Sequence, residues 1–86
     1  MSPSSETAVV LPAPLHARPA GRLVQVAARF TALVEITYGE KVASARGILA
    51  LLALGATAGQ TVVLRATGSD AAAAVAACAE VLQTAD

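Results

Sequence analysis

The chain of 86 residues has little of what metal-binding and disulfide-linked proteins require. It contains one histidine, one cysteine, one tyrosine, one phenylalanine and no tryptophan. A zinc site takes three or four ligands, and His16 and Cys78, which are far apart in the sequence, cannot supply them. A single cysteine also excludes an intramolecular disulfide, which suits a reducing compartment. We therefore expect no metal site and a cytoplasmic location.

An excess of either charge is absent as well, and so are the motifs of nucleotide-binding and serine-hydrolase sites. Six basic residues balance six acidic ones, whereas nucleic-acid binding depends on basic residues that neutralise phosphates. There is no Walker motif, no dinucleotide fingerprint and no G-x-S-x-G sequence. We therefore expect no nucleic-acid partner, no cofactor and no serine-hydrolase activity.

No hydrophobic run is long enough to cross a membrane, although 56% of the residues are hydrophobic. Residues 47–64 carry no charge, but glycine, threonine and glutamine interrupt them, and the uniformly apolar residues 48–54 are too few for a span. Residues 1–6 lack the basic start and apolar run of a secretory signal and predict a disordered tail. Residues 7–86 suffice for a single small domain.

The histidine that is present lies beside an arginine at a predicted helix start, in the stretch P-L-H-A-R-P-A of residues 14–20. Proline is tolerated in a first helical turn, so Pro19 predicts a helix from about Ala17. Helix N-termini favour anions, and Arg18 adds a permanent positive charge. The same field favours neutral imidazole, whose lone pair can attack an electrophile. His16 is therefore a candidate nucleophile, although a lone histidine before a helix is more often a cap or a surface residue.

Hydrophobic periodicity predicts four strands and three helices in the order β-α-β-β-α-β-α. Helices with one apolar face each pack economically on one side of a four-stranded, mainly antiparallel sheet, so the predicted class is α+β with three helices on one face. The predicted strands are residues 7–11, 33–38, 41–43 and 60–67. The predicted helices are residues 17–31, residues 46–52 and a third that begins after Ser69 or Asp70.

Side-chain spacing also assigns faces and ends to these helices. The first helix has an apolar face, which should turn to the core, and an opposite stripe with Arg18, Arg22 and Arg29, which is either solvated or docks an acidic partner. Ser44 is the predicted N-cap of the second helix and Gly55 its C-terminal stop. The buried stripe of the third helix is predicted to comprise Ala71, Val75, Cys78 and Leu82.

The motif L-H-A-R-P-A of residues 15–20 resembles the active-site motif of HPr, the histidine-containing phosphocarrier of the bacterial phosphoenolpyruvate-dependent sugar phosphotransferase system. The resemblance extends from residue 7 to residue 84 and includes G-E-K at 39–41, S-A-R at 44–46 and L-G at 54–55. It implies an open-faced sandwich with strand order 1-4-2-3. It also implies that phospho-Enzyme I phosphorylates Nδ1 of His16, that Arg18 holds phosphoryl oxygens, and that enzyme IIA domains of sugar transporters accept the group.

The same resemblance implies a monomeric carrier rather than a free-standing enzyme, with a partner surface around the histidine and the second helix. Apolar residues surround that short helix, so some must remain exposed as a docking surface, unless the core or self-association covers them. The predicted partner-binding residues are Leu15, Ala17, Ala20, Arg22, Arg46, Gly47, Ile48, Leu51 and Leu52.

Three positions depart from the HPr pattern. Pro14 stands where most members have glycine, and Ala13 replaces a frequent asparagine, which affects loop stiffness and one possible hydrogen bond to the histidine. Gly47 stands where many members carry a serine that a kinase phosphorylates, so that regulation is expected to be absent, with Ser44 as the nearest hydroxyl. The alternative function is a regulatory or docking paralogue, in a nitrogen-type branch or a dihydroxyacetone kinase relay.

Overall fold

The computed structural model of the chain describes residues 3–86. Its four strands form one sheet in the order β1-β4-β2-β3, and all three strand pairs are antiparallel. The predicted class, element order and strand order are thereby confirmed. The elements are β1 (Ser4–Val10), α1 (Ala17–Ala27), β2 (Leu33–Tyr38), β3 (Lys41–Ser44), α2 (Ile48–Ala53), β4 (Thr61–Thr67) and α3 (Ala71–Gln83).

The core lies between one face of the sheet and the helices. Alternate residues of the central strand β4 are fully buried, whereas the residues between them face outwards, on what we call the open face of the sheet. The predicted stripe of α3 is buried throughout, and burial raises the pKa of the Cys78 thiol to about 11. Many of the buried residues are alanines, so the helices can pack closely on the sheet.

The predicted disordered tail of residues 1–6 is wrong for Ser4, Ser5 and Glu6, which belong to β1. Ser4 pairs with Thr67 and Glu6 with Arg65, so the first strand runs along the full length of β4. Serine and glutamate are poor strand formers, but the ladder to an adjacent strand outweighs that weak preference. Met1 and Ser2 lie outside the described residues.

Helix α1 ends at Ala27, four residues before the predicted end at residue 31. The carboxylate of Asp70 accepts hydrogen bonds from the N–H groups of Thr31 and Ala32 at 2.9 and 2.8 Å and from the Thr31 hydroxyl at 3.1 Å. These bonds draw the chain out of the helix and into β2. Asp70 occupies the predicted N-cap position of α3, but its side chain makes no capping hydrogen bond there. The hydrogen bonds, that from the Thr31 N–H above all, lower the pKa of the Asp70 carboxyl.

Helix α2 begins at Ile48 with Gly47 at its N-cap, so the predicted start at Arg46 and the Ser44 cap are wrong. Ser44 is the last residue of β3, and its hydroxyl oxygen accepts a hydrogen bond from the Arg46 N–H at 3.2 Å, which forms a local turn. Gly55 follows the end of α2 with a φ of 69°, as expected of a C-terminal glycine stop. Among residues 3–86 no helix is both long and apolar enough to cross a membrane.

Candidate functional site

His16 is the N-cap residue of α1, and its side chain is exposed. Its backbone is extended, with φ −95° and ψ −168°, while its carbonyl already accepts the first helical hydrogen bond, from Ala20 at 3.0 Å. Leu15 before it and Pro19 after it are both buried, and the Leu15 N–H donates to the Ala56 carbonyl at 3.0 Å. The backbone of His16 is therefore anchored on both sides, whereas the ring makes no capping hydrogen bond and can face an incoming molecule.

The imidazole ring has one described hydrogen bond, which indicates its tautomer. Nε2 of His16 lies 3.2 Å from the main-chain oxygen of Asp86. A main-chain oxygen can only accept, so in the neutral ring Nε2 carries the proton and Nδ1 keeps its lone pair. In the neutral ring this arrangement leaves Nδ1 as the nitrogen whose lone pair is free.

Arg18 lies on the same helix turn and interacts with the same residue of the C-terminal segment. Its Nη1 atom is 3.9 Å from Oδ1 of Asp86, and the two side chains are 72% and 78% exposed. An ion pair this open to solvent is worth little, so the guanidinium can leave the carboxylate for another anion. The first turn of α1 contains no acidic residue, and its first N–H groups have no partners within the helix. The positive end of the helix and Arg18 therefore favour an anion near the start of α1.

The loop before the histidine contains the two unusual residues predicted to alter its stiffness. The carbonyl of Pro14 accepts a hydrogen bond from the His16 N–H at 2.9 Å, so the loop turns sharply immediately before the helix. Ala13 is half-buried and its methyl group cannot hydrogen-bond the imidazole.

The predicted partner-binding residues divide into an exposed group and a buried group. Leu15, Ala20 and Leu51 are 5%, 0% and 0% exposed, so their side chains cannot offer a surface and this part of the prediction is wrong. Leu15 and Ala20 belong to the motif of residues 15–20 and Leu51 to the apolar second helix, but all three side chains are part of the core. The remaining residues are accessible: Ala17, Arg22, Arg46 and Ile48 are exposed, and Gly47 and Leu52 are half-buried.

Helix α2 packs beside α1, and Ile48 lies at the contact between them. A Cβ atom added at Gly21 of α1 would lie 3.8 Å from Cδ1 of Ile48. Sequence reasoning did not single out Leu49, which is 78% exposed and is the most exposed large apolar side chain described. At 100° per residue Leu49 lies about 160° from Leu51, so the burial of Leu51 turns Leu49 outwards. We call Ile48, Leu49 and Leu52 the α2 patch.

Within the described chain no three histidine, cysteine, aspartate or glutamate side chains gather as potential metal ligands. The groups that the structure places together at the start of α1 are an exposed imidazole, a guanidinium and a helix N-terminus. This combination suits the transient binding of a phosphoryl group.

The family model described as the phosphorylation site of the HPr component of the phosphotransferase system, PTS-HPr, matches residues 3–84. This chain belongs to the HPr family. It is an HPr-like phosphocarrier of the phosphotransferase system, as the motif at residues 15–20 predicted.

Two curated relatives differ greatly in length. Phosphocarrier protein NPr of Shewanella violacea is 47% identical over 61 residues, which cover 71% of this chain and 67% of the relative. The multiphosphoryl transfer protein of Xanthomonas campestris pv. campestris is 39% identical over 66 residues. Those residues are 77% of this chain but only 8% of that protein, so the chain corresponds to a small part of it.

Solved structures share the fold. HPr from Bacillus anthracis has a TM-score of 0.86 and 32% identity, with 93% of this chain and 98% of that chain covered. A structure described as an HPr dimer from Thermoanaerobacter tengcongensis has a TM-score of 0.72 and 34% identity, with 78% of this chain and 77% of that chain covered.

Proposed function

We propose that this HPr accepts a phosphoryl group from phospho-Enzyme I on Nδ1 of His16 and passes it to an enzyme IIA domain. The observation that carries the proposal is the hydrogen bond from Nε2 to the Asp86 main-chain oxygen, which leaves the Nδ1 lone pair free, while Arg18 approaches the side chain of the same Asp86. The chain is a carrier with a phosphohistidine intermediate rather than a free-standing enzyme, and it uses no nucleotide, metal or cofactor of its own.

The transfer step exchanges one phosphorus–nitrogen bond for another. The Nδ1 lone pair attacks the phosphorus of the donor's phosphohistidine, and the bond from phosphorus to the donor nitrogen breaks as the new bond forms. The electron pair of the broken bond returns to the donor ring, while Nε2 of His16 keeps its proton. Catalysis then depends on alignment of the two rings and on stabilisation of the phosphoryl charge.

Arg18 and the start of α1 supply that stabilisation. As the phosphoryl group reaches Nδ1, the guanidinium can exchange its weak contact with the Asp86 carboxylate for hydrogen bonds to phosphoryl oxygens. The first N–H groups of α1 point towards the same region and add the favourable end of the helix dipole. Arg18 is therefore proposed to stabilise the phosphoryl group directly.

The α2 patch is the proposed contact for Enzyme I and for enzyme IIA domains. Leu49 and Ile48 are 78% and 39% exposed, and Ile48 lies against α1, the helix that follows His16. Exposed apolar side chains that cluster beside a reactive group are typical of protein-docking surfaces. Ala17, Arg22, Arg46 and Gly47 are exposed or half-buried, and we propose that they complete the contact as its polar and small-residue rim.

The pathway remains a choice between sugar-type and nitrogen-type partners. The similarity to a phosphocarrier named NPr, at 47% identity, favours the nitrogen-type branch as the second candidate function. The test compares the rates of phosphoryl transfer to this chain from purified sugar-type and nitrogen-type Enzyme I at equal concentration. The faster donor identifies the branch to which the chain belongs. We propose a cytoplasmic monomer in either case, which the buried, unpaired Cys78 fits.

The direct test of the carrier function is incubation with Enzyme I and radiolabelled phosphoenolpyruvate. One acid-labile phosphoryl group per chain is expected on the wild-type protein, and none on His16→Ala, since a phosphoramidate forms only on the ring. A label that survives acid, or one that remains in His16→Ala, contradicts the proposal.

A further inference from the structure

The loop that precedes α1 is held in place by a second loop. We call residues 11–16 the histidine loop and residues 56–60 the supporting turn. At the start of the histidine loop, the N–H of Leu11 donates to the carbonyl of Gln60 at 2.9 Å, and the carbonyl of Leu11 accepts from the N–H of Gly59 at 2.8 Å. Two main-chain hydrogen bonds therefore fix Leu11 to the end of the supporting turn.

The other end of the histidine loop is attached to the start of the same turn. The N–H of Leu15 donates to the carbonyl of Ala56 at 3.0 Å, directly before His16, and both partners are buried. The two attached positions are four residues apart in each segment. Within the histidine loop Pro12 and Pro14 have no N–H to donate. The shape of the supporting turn therefore determines where the backbone of His16 lies.

The side chain of Gln60 closes the supporting turn. Its Oε1 atom accepts a hydrogen bond from the N–H of Thr57 at 2.7 Å, and the main-chain N–H of Gln60 donates to the carbonyl of Thr57 at 3.2 Å. Thr57 is exposed, so its N–H can bind water when the side-chain acceptor is removed. Loss of that acceptor should therefore loosen the turn without unfolding the domain.

We propose that Gln60 is a positioning residue for phosphoryl transfer. Its side-chain amide fixes the supporting turn, and the turn fixes the main chain of the histidine loop at Leu11 and Leu15, so that the ring of His16 is held in line for the incoming group. The inference rests on the proposed function. Gln60 acts through the main chain, so the role requires no contact between its side chain and either partner.

Transfer between two histidine rings is sensitive to such positioning. The attacking nitrogen has to approach the phosphorus along one direction, and a small displacement of a reacting group lowers the rate within the complex. Removal of one neutral hydrogen bond changes a conformational equilibrium by about threefold to tenfold. The fraction of complexes in which His16 is aligned, and with it the maximal transfer rate, should fall by a factor in that range. The contacts that bring the two proteins together are unchanged.

The test measures transfer from phospho-Enzyme I to the protein by rapid quench over a series of Enzyme I concentrations. Gln60→Leu should lower the maximal rate about threefold to tenfold and leave the half-saturating concentration within about twofold of wild type. Gln60→Glu, whose carboxylate can still accept the Thr57 hydrogen bond, should restore most of the maximal rate. Amide hydrogen exchange at Leu15 should be faster in Gln60→Leu than in wild type, because that N–H reports the attachment of the histidine loop.

Asp70→Ala is the matched control. It removes another side chain whose oxygens accept main-chain N–H bonds, from Thr31 and Ala32, neither of which belongs to the histidine loop or the supporting turn. It should lower the melting temperature at least as much as Gln60→Leu, yet keep the wild-type maximal rate. Equal slowing in the two variants would reduce the role of Gln60 to general stability.

A wild-type maximal rate in Gln60→Leu, or unchanged exchange at Leu15, overturns the inference. A raised half-saturating concentration with an unchanged maximal rate also overturns it, because Gln60 would then be a contact for Enzyme I. Gln60→Asn, whose shorter amide cannot reach Thr57, gives the same test if Gln60→Leu does not fold. Wild-type protein that Enzyme I does not phosphorylate overturns the proposed function as well, whereas normal phosphorylation of wild type with an unaffected Gln60→Leu overturns this inference alone.

Discussion

Leu49→Glu, a substitution in the α2 patch, should weaken the binding of Enzyme I while it changes the stability of the fold only slightly. Leu49 is 78% exposed, so only about a fifth of its side chain is buried in the free protein. Complete burial of a leucine side chain stabilises a fold by about 1.5–3 kcal/mol, so the substitution should lower the free energy of unfolding by at most about 0.6 kcal/mol. In a domain of this size that corresponds to a decrease in Tm of about 2–5 °C.

The effect on binding should be much larger than the effect on stability. If Enzyme I covers Leu49, the substitution removes the remaining four-fifths of that burial, about 1.2–2.4 kcal/mol, and places a carboxylate in an apolar contact. Since 1.4 kcal/mol is a factor of ten, the affinity for Enzyme I should fall at least about tenfold. Isothermal titration calorimetry measures the affinity, and circular dichroism melting measures the stability.

Two control variants mark the limits of this comparison. Leu33→Glu changes a leucine that is 44% exposed on the open face of the sheet, and it should leave the affinity unchanged. Leu51→Ala removes a fully buried side chain of the same helix and should cost about 2–5 kcal/mol of stability. Wild-type affinity in Leu49→Glu would remove the α2 patch from the interface, and destabilisation as large as that of Leu51→Ala would refute the exposure of Leu49.

Three further changes test the site, the fold and the regulation. Arg18→Ala should leave the melting temperature nearly unchanged and slow phosphoryl transfer to His16 by about 10–100-fold, which corresponds to the loss of one or two hydrogen bonds to a charged group. Rapid-quench transfer rates equal to those of wild type would show that another group holds the phosphoryl oxygens. Asp70→Asn should make the free energy of unfolding less dependent on pH in acid, because the pKa of Asp70 is lowered in the folded state and its stabilisation, present above the unfolded value near 3.8, is lost as the pH falls through the folded value. Urea unfolding from pH 6 down to about pH 2 should therefore show a steeper loss of stability in wild type than in the variant. Parallel curves would contradict the role of the Asp70 hydrogen bonds. HPr kinase and ATP should leave the protein unmodified, because Gly47 has no hydroxyl; stoichiometric phosphorylation of Ser44 in a mass spectrum would be the contrary result.

Features encoded by neighbouring residues could be predicted from the sequence. Pro19 in the first turn placed the start of α1 at Ala17, and the alternation of residues 33–38 placed β2 to the residue. The four-residue spacing from Ala71 to Val75, continued through Leu82, identified the buried side of α3. Each of these signals depends on local conformational preference or on one periodic face.

Features that depend on residues distant in the sequence could not be predicted in the same way. The end of α1 depends on Asp70, which lies about forty residues further along. The imidazole of His16 donates its hydrogen bond to the main-chain oxygen of Asp86, which is seventy residues away. In α2 every position is apolar, so hydropathy could not distinguish the buried Leu51 from the exposed Leu49. Only the packing of the helix against its neighbours separates them.

Identifying which nitrogen of His16 becomes phosphorylated tests the proposed chemistry most directly. Phosphorus and nitrogen NMR of the protein, phosphorylated by Enzyme I with phosphoenolpyruvate, identifies that nitrogen from its coupling to phosphorus. Phosphorylation of Nδ1 alone is the expected result, because the hydrogen bond to the Asp86 main-chain oxygen keeps the proton on Nε2. A phosphoryl group on Nε2, or on any residue other than His16, would contradict it.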